Sequence, residues 1–97
     1  IVMISRETEL YLKGMRLSPE DAEMLEDALN QDASNTKMRI QLIAYYYNRL
    51  AQSQTEEDTP ESEKAAAARA HQTHVHWITV NEPNHSVLSK SWAQLEH

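Results

Sequence analysis

A single glycine in a chain of ninety-seven residues, with only three prolines beside it, leaves little material for tight turns. A β-rich fold needs a turn every several residues, usually built on glycine, proline or asparagine. The rest of the chain is stocked with Ala, Leu, Met, Glu, Gln, Arg and Lys, which favour helix. The expected fold class is therefore all-α, as one domain with a modest core.

Helix signals follow along the chain. "LSPEDAEMLEDALNQDASN" opens with Ser18 as cap, Pro19 at the first helical position, and Glu20 and Asp21 where the helix dipole favours negative charge. Ala22, Leu25, Ala28 and Leu29 form its apolar face, and the helix should stop near "QDASN". The next helix, "NTKMRIQLIAYYYNRLAQ", is capped by Asn35 or Thr36. Its stripes are Met38–Leu42–Tyr45–Arg49, Ile43–Tyr46–Leu50 and Ile40–Ala44–Tyr47. Apolar residues nearly all round place it at the centre of the domain. A third long helix starts after Thr59 and Pro60 and ends before Pro83, which pushes Glu82 out of helical geometry. A short final helix is expected with Ser86 as cap and Leu88, Trp92 and Leu95 facing inward.

Domain limits follow from the same reading. Residues 1–17 are expected to be a helical N-terminal segment, with Ile4, Thr8, Tyr11, Leu12 and Met15 as its stripe and Gly14 near its C-terminus. Residues 18–94 form the main domain, interrupted by an acidic loop at 52–61. The ending Leu95 to His97 looks like the start of a cloning-vector tag and is set apart from it.

Charge narrows the partners. The net charge is −6, with acids concentrated in Glu20 to Asp32 and in "TEEDTPESE", Thr55 to Glu63. Such a surface repels phosphate backbones and anionic lipid, so neither nucleic acid nor membrane is expected to bind. Cysteine is absent, which removes disulfides, thiolate metal sites and cysteine nucleophiles. No apolar run approaches a membrane span and nothing reads as a signal peptide, so the expected location is cytoplasmic. One glycine cannot build a phosphate-cradling loop, and no Ser–His nucleophile pattern occurs. The many carboxylates lie on polar helix faces, with nothing to desolvate one and raise its pKa. No enzyme activity and no cofactor are expected.

A shift of fifty residues places "QDASNTKM" over "EPNHSVL". Asp32 falls on Glu82, Ala33 on Pro83, Ser34 on Asn84, Thr36 on Ser86 and Met38 on Leu88. In both copies an apolar helix ends in an acidic turn and a capped apolar helix follows. Without the acidic loop the period approaches that of a helical-hairpin repeat of about 34 residues.

The stretch "ALNQDASNTKMRIQLIAYYY" resembles the junction between two tetratricopeptide repeats. Ala28 and Leu29 match the end of one helix, Asp32 and Asn35 the turn, and Leu42 and Tyr46 the ladder of the next; "WITVNEPNH" is similar to a second junction through Pro83. Ala33 stands where that family has a turn proline, Arg39 where a large aromatic is usual, and Ile43 and His71 where small residues are preferred. The resemblance covers roughly residues 20–95. It implies antiparallel helical hairpins, about two repeats, and a surface for a peptide or partner protein. Stability of such arrays takes three or more repeats. The leading segment must therefore cap the array, or the chain must pair with another copy as a homodimer or with a larger parent chain.

The leading functional expectation is a non-enzymatic interaction or oligomerisation module, an adaptor or scaffold. Its partner-binding residues are Arg39, Tyr45, Tyr47 and Arg49. Three consecutive tyrosines fan over about 200° of a helix. Tyr46 is therefore expected in the core, with Tyr45 or Tyr47 reaching a groove through an exposed hydroxyl. "HQTHVHWITVNEPNH" raises a rival, a metal-stabilised or metal-responsive protein using His71, His74 and His85. His71 and His74, three apart on a helix, share a face and could supply half of a zinc site. The competing reading seats both at the edge of a helix interface, stacked on Tyr or Trp and donating one hydrogen bond each. A third reading is a capping domain of a larger chain.

Overall fold

The computed structural model describes residues 6–53 and 60–93, apart from the side chains of Glu7 and Ser53. Among them every regular element is helical: α1 (Arg6–Met15), α2 (Pro19–Gln31), α3 (Thr36–Ser53) and α4 (Glu61–Asn81), then 3₁₀ turns at Ser86–Ser89 and Ser91–Ala93. None of the described helices is long and apolar enough to cross a membrane. Residues 54–59 of the expected acidic loop, Thr59 as a cap, and the inward stripe residues Ile4 and Leu95 lie outside the described residues.

Local chemistry sets the ends of α2. Ser18 Oγ accepts from the Asp21 amide at 3.1 Å, and the Asp21 carboxylate accepts from the Ser18 amide at 3.4 Å. This reciprocal cap, with Pro19 behind it, satisfies donors that a helix start leaves open. At the other end the Asp32 carboxylate accepts from both the amide and the hydroxyl of Ser34, closing a turn. Asn35 then caps α3, its Oδ1 accepting from the Met38 amide at 3.2 Å.

The junction fifty residues later has the same backbone shape. Asp32 (φ −136°, ψ 84°) and Glu82 (φ −138°, ψ 65°) each end a helix and donate an amide four residues back, at 2.9 and 2.7 Å. His85 takes the place of Asn35, its Nδ1 accepting from the Val87 amide at 3.1 Å. The cap is therefore His85, not Ser86 as the sequence suggested. Two 3₁₀ turns follow instead of an α-helix. Serine hydroxyls compete with the helical ladder here, as Ser89 Oγ donates to the Ser86 carbonyl at 2.8 Å. A hydrogen bond from the Thr36 hydroxyl to the Glu82 carboxylate ties the two junctions together at one end of the bundle.

The centre is α3, which packs against α1, α2, α4 and the second 3₁₀ turn. Its Met38–Leu42–Tyr45 stripe faces α2, meeting Ala22, Leu25 and Leu29. Ile40 and Ile43 face the other way, into a cluster with Leu10 of α1, Val75 and Ile78 of α4, and Val87 and Ala93 beyond it. Full burial of each such aliphatic side chain contributes about 1.5–3 kcal/mol. Pairings run in opposite directions along the chain: Tyr46 reaches back to Glu26, Arg39 meets His74 and Trp77, and Tyr47 lies beside His71. Neighbouring helices α2, α3 and α4 are therefore antiparallel.

The structure corrects the stripe expected for α1. Leu10 and Gly14 are the residues turned inward, whereas Leu12 and Met15 are 37% and 49% exposed. Gly14 has no positive φ and does not act as a left-handed stop. It lets two helices touch, because a Cβ there would lie 2.3 Å from the Gln41 carbonyl oxygen and 2.7 Å from Ala44 Cβ. Gly14→Ala should destabilise the protein by about 1–3 kcal/mol through overpacking. Alanine's better helix propensity offsets about 1 kcal/mol of that loss, so the net destabilisation reaches about 2 kcal/mol. Urea unfolding of the two proteins measures the sign directly.

Candidate functional site

Arg39 projects from the first turns of α3, where the α2 stripe and the α1–α4 stripe part, and it is buried with 7% of its surface exposed. Its Nε and Nη2 donate to the Ala33 carbonyl at 3.1 and 2.9 Å, holding the α2–α3 turn. The last turn of α2 has no basic residue of its own, so Arg39 brings the cation that a helix C-terminus favours. Its guanidinium also lies over the Trp77 ring, 4.2 Å from the centroid.

Nη1 of Arg39 is 3.2 Å from His74 Nδ1. A guanidinium only donates, so Nδ1 accepts and the imidazole proton sits on Nε2. From there it donates to Glu26 Oε1 at 2.9 Å. The other carboxylate oxygen accepts from the Tyr46 hydroxyl at 2.7 Å, and the Tyr46 ring stacks on His74 with 12° between planes. One chain of hydrogen bonds thus runs from the α2–α3 turn through α3 and α4 to α2. No buried side-chain nitrogen or oxygen among the described residues lacks a partner.

Ionisation follows from these contacts. Burial pushes the Glu26 carboxyl up, but hydrogen bonds from His74 and Tyr46 and the charge of Arg39 outweigh it, leaving Glu26 below its ordinary value. Tyr46 is raised well above the usual phenol, first by burial and then by the Glu26 carboxylate. Burial lowers Arg39, and Glu26 opposes that shift.

Above this network is a groove of about 550 Å³. One wall is α2, through Glu26, Leu29 and Asn30; the other is α4, through Ala66, Arg69, Ala70 and Thr73. Arg39 and His74 lie at its base. The helices flank α3, and the Glu26–His74 hydrogen bond bridges them below the opening.

The residues singled out in sequence separate here. Arg39 is interior and faces the groove only from below. Tyr45 is core, 8% exposed, whereas Tyr46, expected in the core, is half-buried. The physical reason is that Tyr45 continues the Met38–Leu42 stripe against α2. Arg49 is exposed, with its guanidinium carbon 5.8 Å from the Tyr45 ring centroid. Tyr47 is half-buried beside His71, 6.4 Å between ring centroids.

His71, His74 and His85 do not converge. His71 Nε2 donates to the Trp92 carbonyl at 2.7 Å, His74 uses both ring nitrogens, and His85 Nδ1 caps a 3₁₀ turn. Among the described residues no three His, Asp or Glu side chains are placed to hold a metal ion. His74 also has no free nitrogen to serve as a base while Arg39 donates to it. Glu26 is not among the residues that the sequence singles out. Its signal is positional: it lies four residues after Ala22 and three before Leu29, so a carboxylate sits on the apolar face.

Because the folded value of Glu26 is depressed, its stabilisation is present above its unfolded value and lost as pH falls through the folded one. The stability gap between the wild-type protein and Glu26→Gln should be about 1–3 kcal/mol at pH 7. It should narrow as pH falls below 4.5. Denaturant unfolding across that range checks both size and direction.

Comparison with family models, with curated proteins and with solved structures returned no match.

Proposed function

We propose that this chain is a non-enzymatic interaction module of tetratricopeptide-like architecture, binding a peptide segment of a partner protein in the groove between α2 and α4. The carrying observation is the groove itself. Two antiparallel neighbours of a central helix leave about 550 Å³ open, within the range of about 300–1,000 Å³ common to ligand pockets. The repeated junctions at Asp32 and Glu82 support the repeat reading, since the same turn recurs at the shift of fifty read from the sequence. Packing of α1 over α3 supplies the cover that so short an array needs. The hydrogen-bonded commitment of His74 and Glu26 supports a structural rather than a catalytic role for both.

The partner face moves accordingly. Of the four residues named from sequence, Tyr47 and Arg49 remain on the C-terminal half of α3, and neither lines the groove. Peptides selected from a randomised display library on the wild-type protein should lose binding to Ala70→Trp, whose indole fills the groove. They should bind the Tyr47→Ala, Arg49→Ala double variant normally, with both variants checked for helicity by circular dichroism. The reverse pattern would put the partner face on α3 and overturn the groove.

A further inference from the structure

We infer that the groove recognises a single carboxylate, carried by an Asp or Glu side chain within an otherwise uncharged peptide segment, and that Arg69 is its anchoring cation. The inference rests on the groove being the partner surface.

Arg69 is exposed, lines the groove, and forms no ion pair with any described residue. Its own helix offers it none, because α4 has no acid from Lys64 to Asn81. At the base, Arg39 donates one hydrogen bond each from Nε, Nη2 and Nη1. A guanidinium has five N–H groups, so two remain beyond those three. Glu26, the one acid among the described lining residues, already accepts from His74 and Tyr46. Among the described residues the lining charge is two cations less one anion, which leaves one positive charge for one carboxylate.

The surroundings limit the ligand further. Glu23 and Asp27 are exposed on α2, each three residues before a wall residue (Glu26 and Asn30), and the whole chain carries −6. A polyacidic segment would be repelled before it docked. A lone acid flanked by neutral residues meets the Arg pair without that cost. Leu29, Ala33, Ala66 and Ala70 leave room for a backbone, and Asn30 and Thr73 offer polar groups on opposite walls. A planar guanidinium suits a carboxylate through paired N–H donors.

The library peptides selected above provide the probe. Each enriched peptide is compared with its amide counterpart, Asp→Asn or Glu→Gln, by calorimetry on the wild-type protein and on Arg69→Gln. The amide should bind the wild-type protein about tenfold or more weakly. Arg69→Gln should bind acid and amide peptides alike, and added salt should weaken only the acid peptide on the wild-type protein. Peptides that Ala70→Trp excludes, but that are indifferent to the amide change or to Arg69→Gln, would overturn the carboxylate and leave the groove standing. An unproductive selection, or peptides indifferent to Ala70→Trp, would overturn both.

Discussion

The buried guanidinium of Arg39 is the constraint that organises the bundle. Removing such a charge from water costs several kcal/mol unless partners are placed at once. Here they come from three places: the Ala33 carbonyl from the α2–α3 turn, His74 and Trp77 from α4, and Glu26 of α2 one imidazole further on. Aliphatic contacts tolerate sliding, but this network does not. A one-residue slip of α4 would turn His74 by about 100° and strand Arg39 and Glu26 together. The polar chain is thus satisfied in one helix register, against which the two apolar clusters pack.

Around that constraint, α3 serves two cores. Leu42 and Tyr45 point to α2, while Ile40 and Ile43 point to α1 and α4. A helix buried on two sides leaves its neighbours apart. Small side chains on α4, Ala66 and Ala70, do not reach across to α2, so a hydrogen bond rather than packed hydrocarbon bridges that side. The groove is the consequence. It lies above a hydrogen-bonded polar floor, with Arg69 projecting from one wall.

The histidines illustrate how one residue type serves several mechanical roles. His71 holds the last 3₁₀ turn by its main chain, His74 links a cation to an anion, and His85 replaces an asparagine as a cap. Spacing along α4 puts the first two on one side of the helix. Their partners diverge, because α4 passes from the Arg39 network to Tyr47 and the Trp92 carbonyl within a single turn.

The positions of α1 to α4, the Ser18 cap, the stop before Pro83 and the centrality of α3 were legible in the sequence, because propensity, capping and periodicity act over a few residues. The repeated junction was legible for the same reason, since a turn is a local object. Tyr45 as core was written in the Met38–Leu42–Tyr45 stripe, although the run of three tyrosines obscured it. Which side of α1 faces inward was not legible, because Gly14 has no side chain to mark a contact made by its absence. Nor were the partners of Arg39, His74 and Glu26, which are separated by 35 and 48 residues along the chain. Only the folded arrangement of α2, α3 and α4 brings those groups within hydrogen-bond reach, and only there does an acid on an apolar stripe become a stabilising residue.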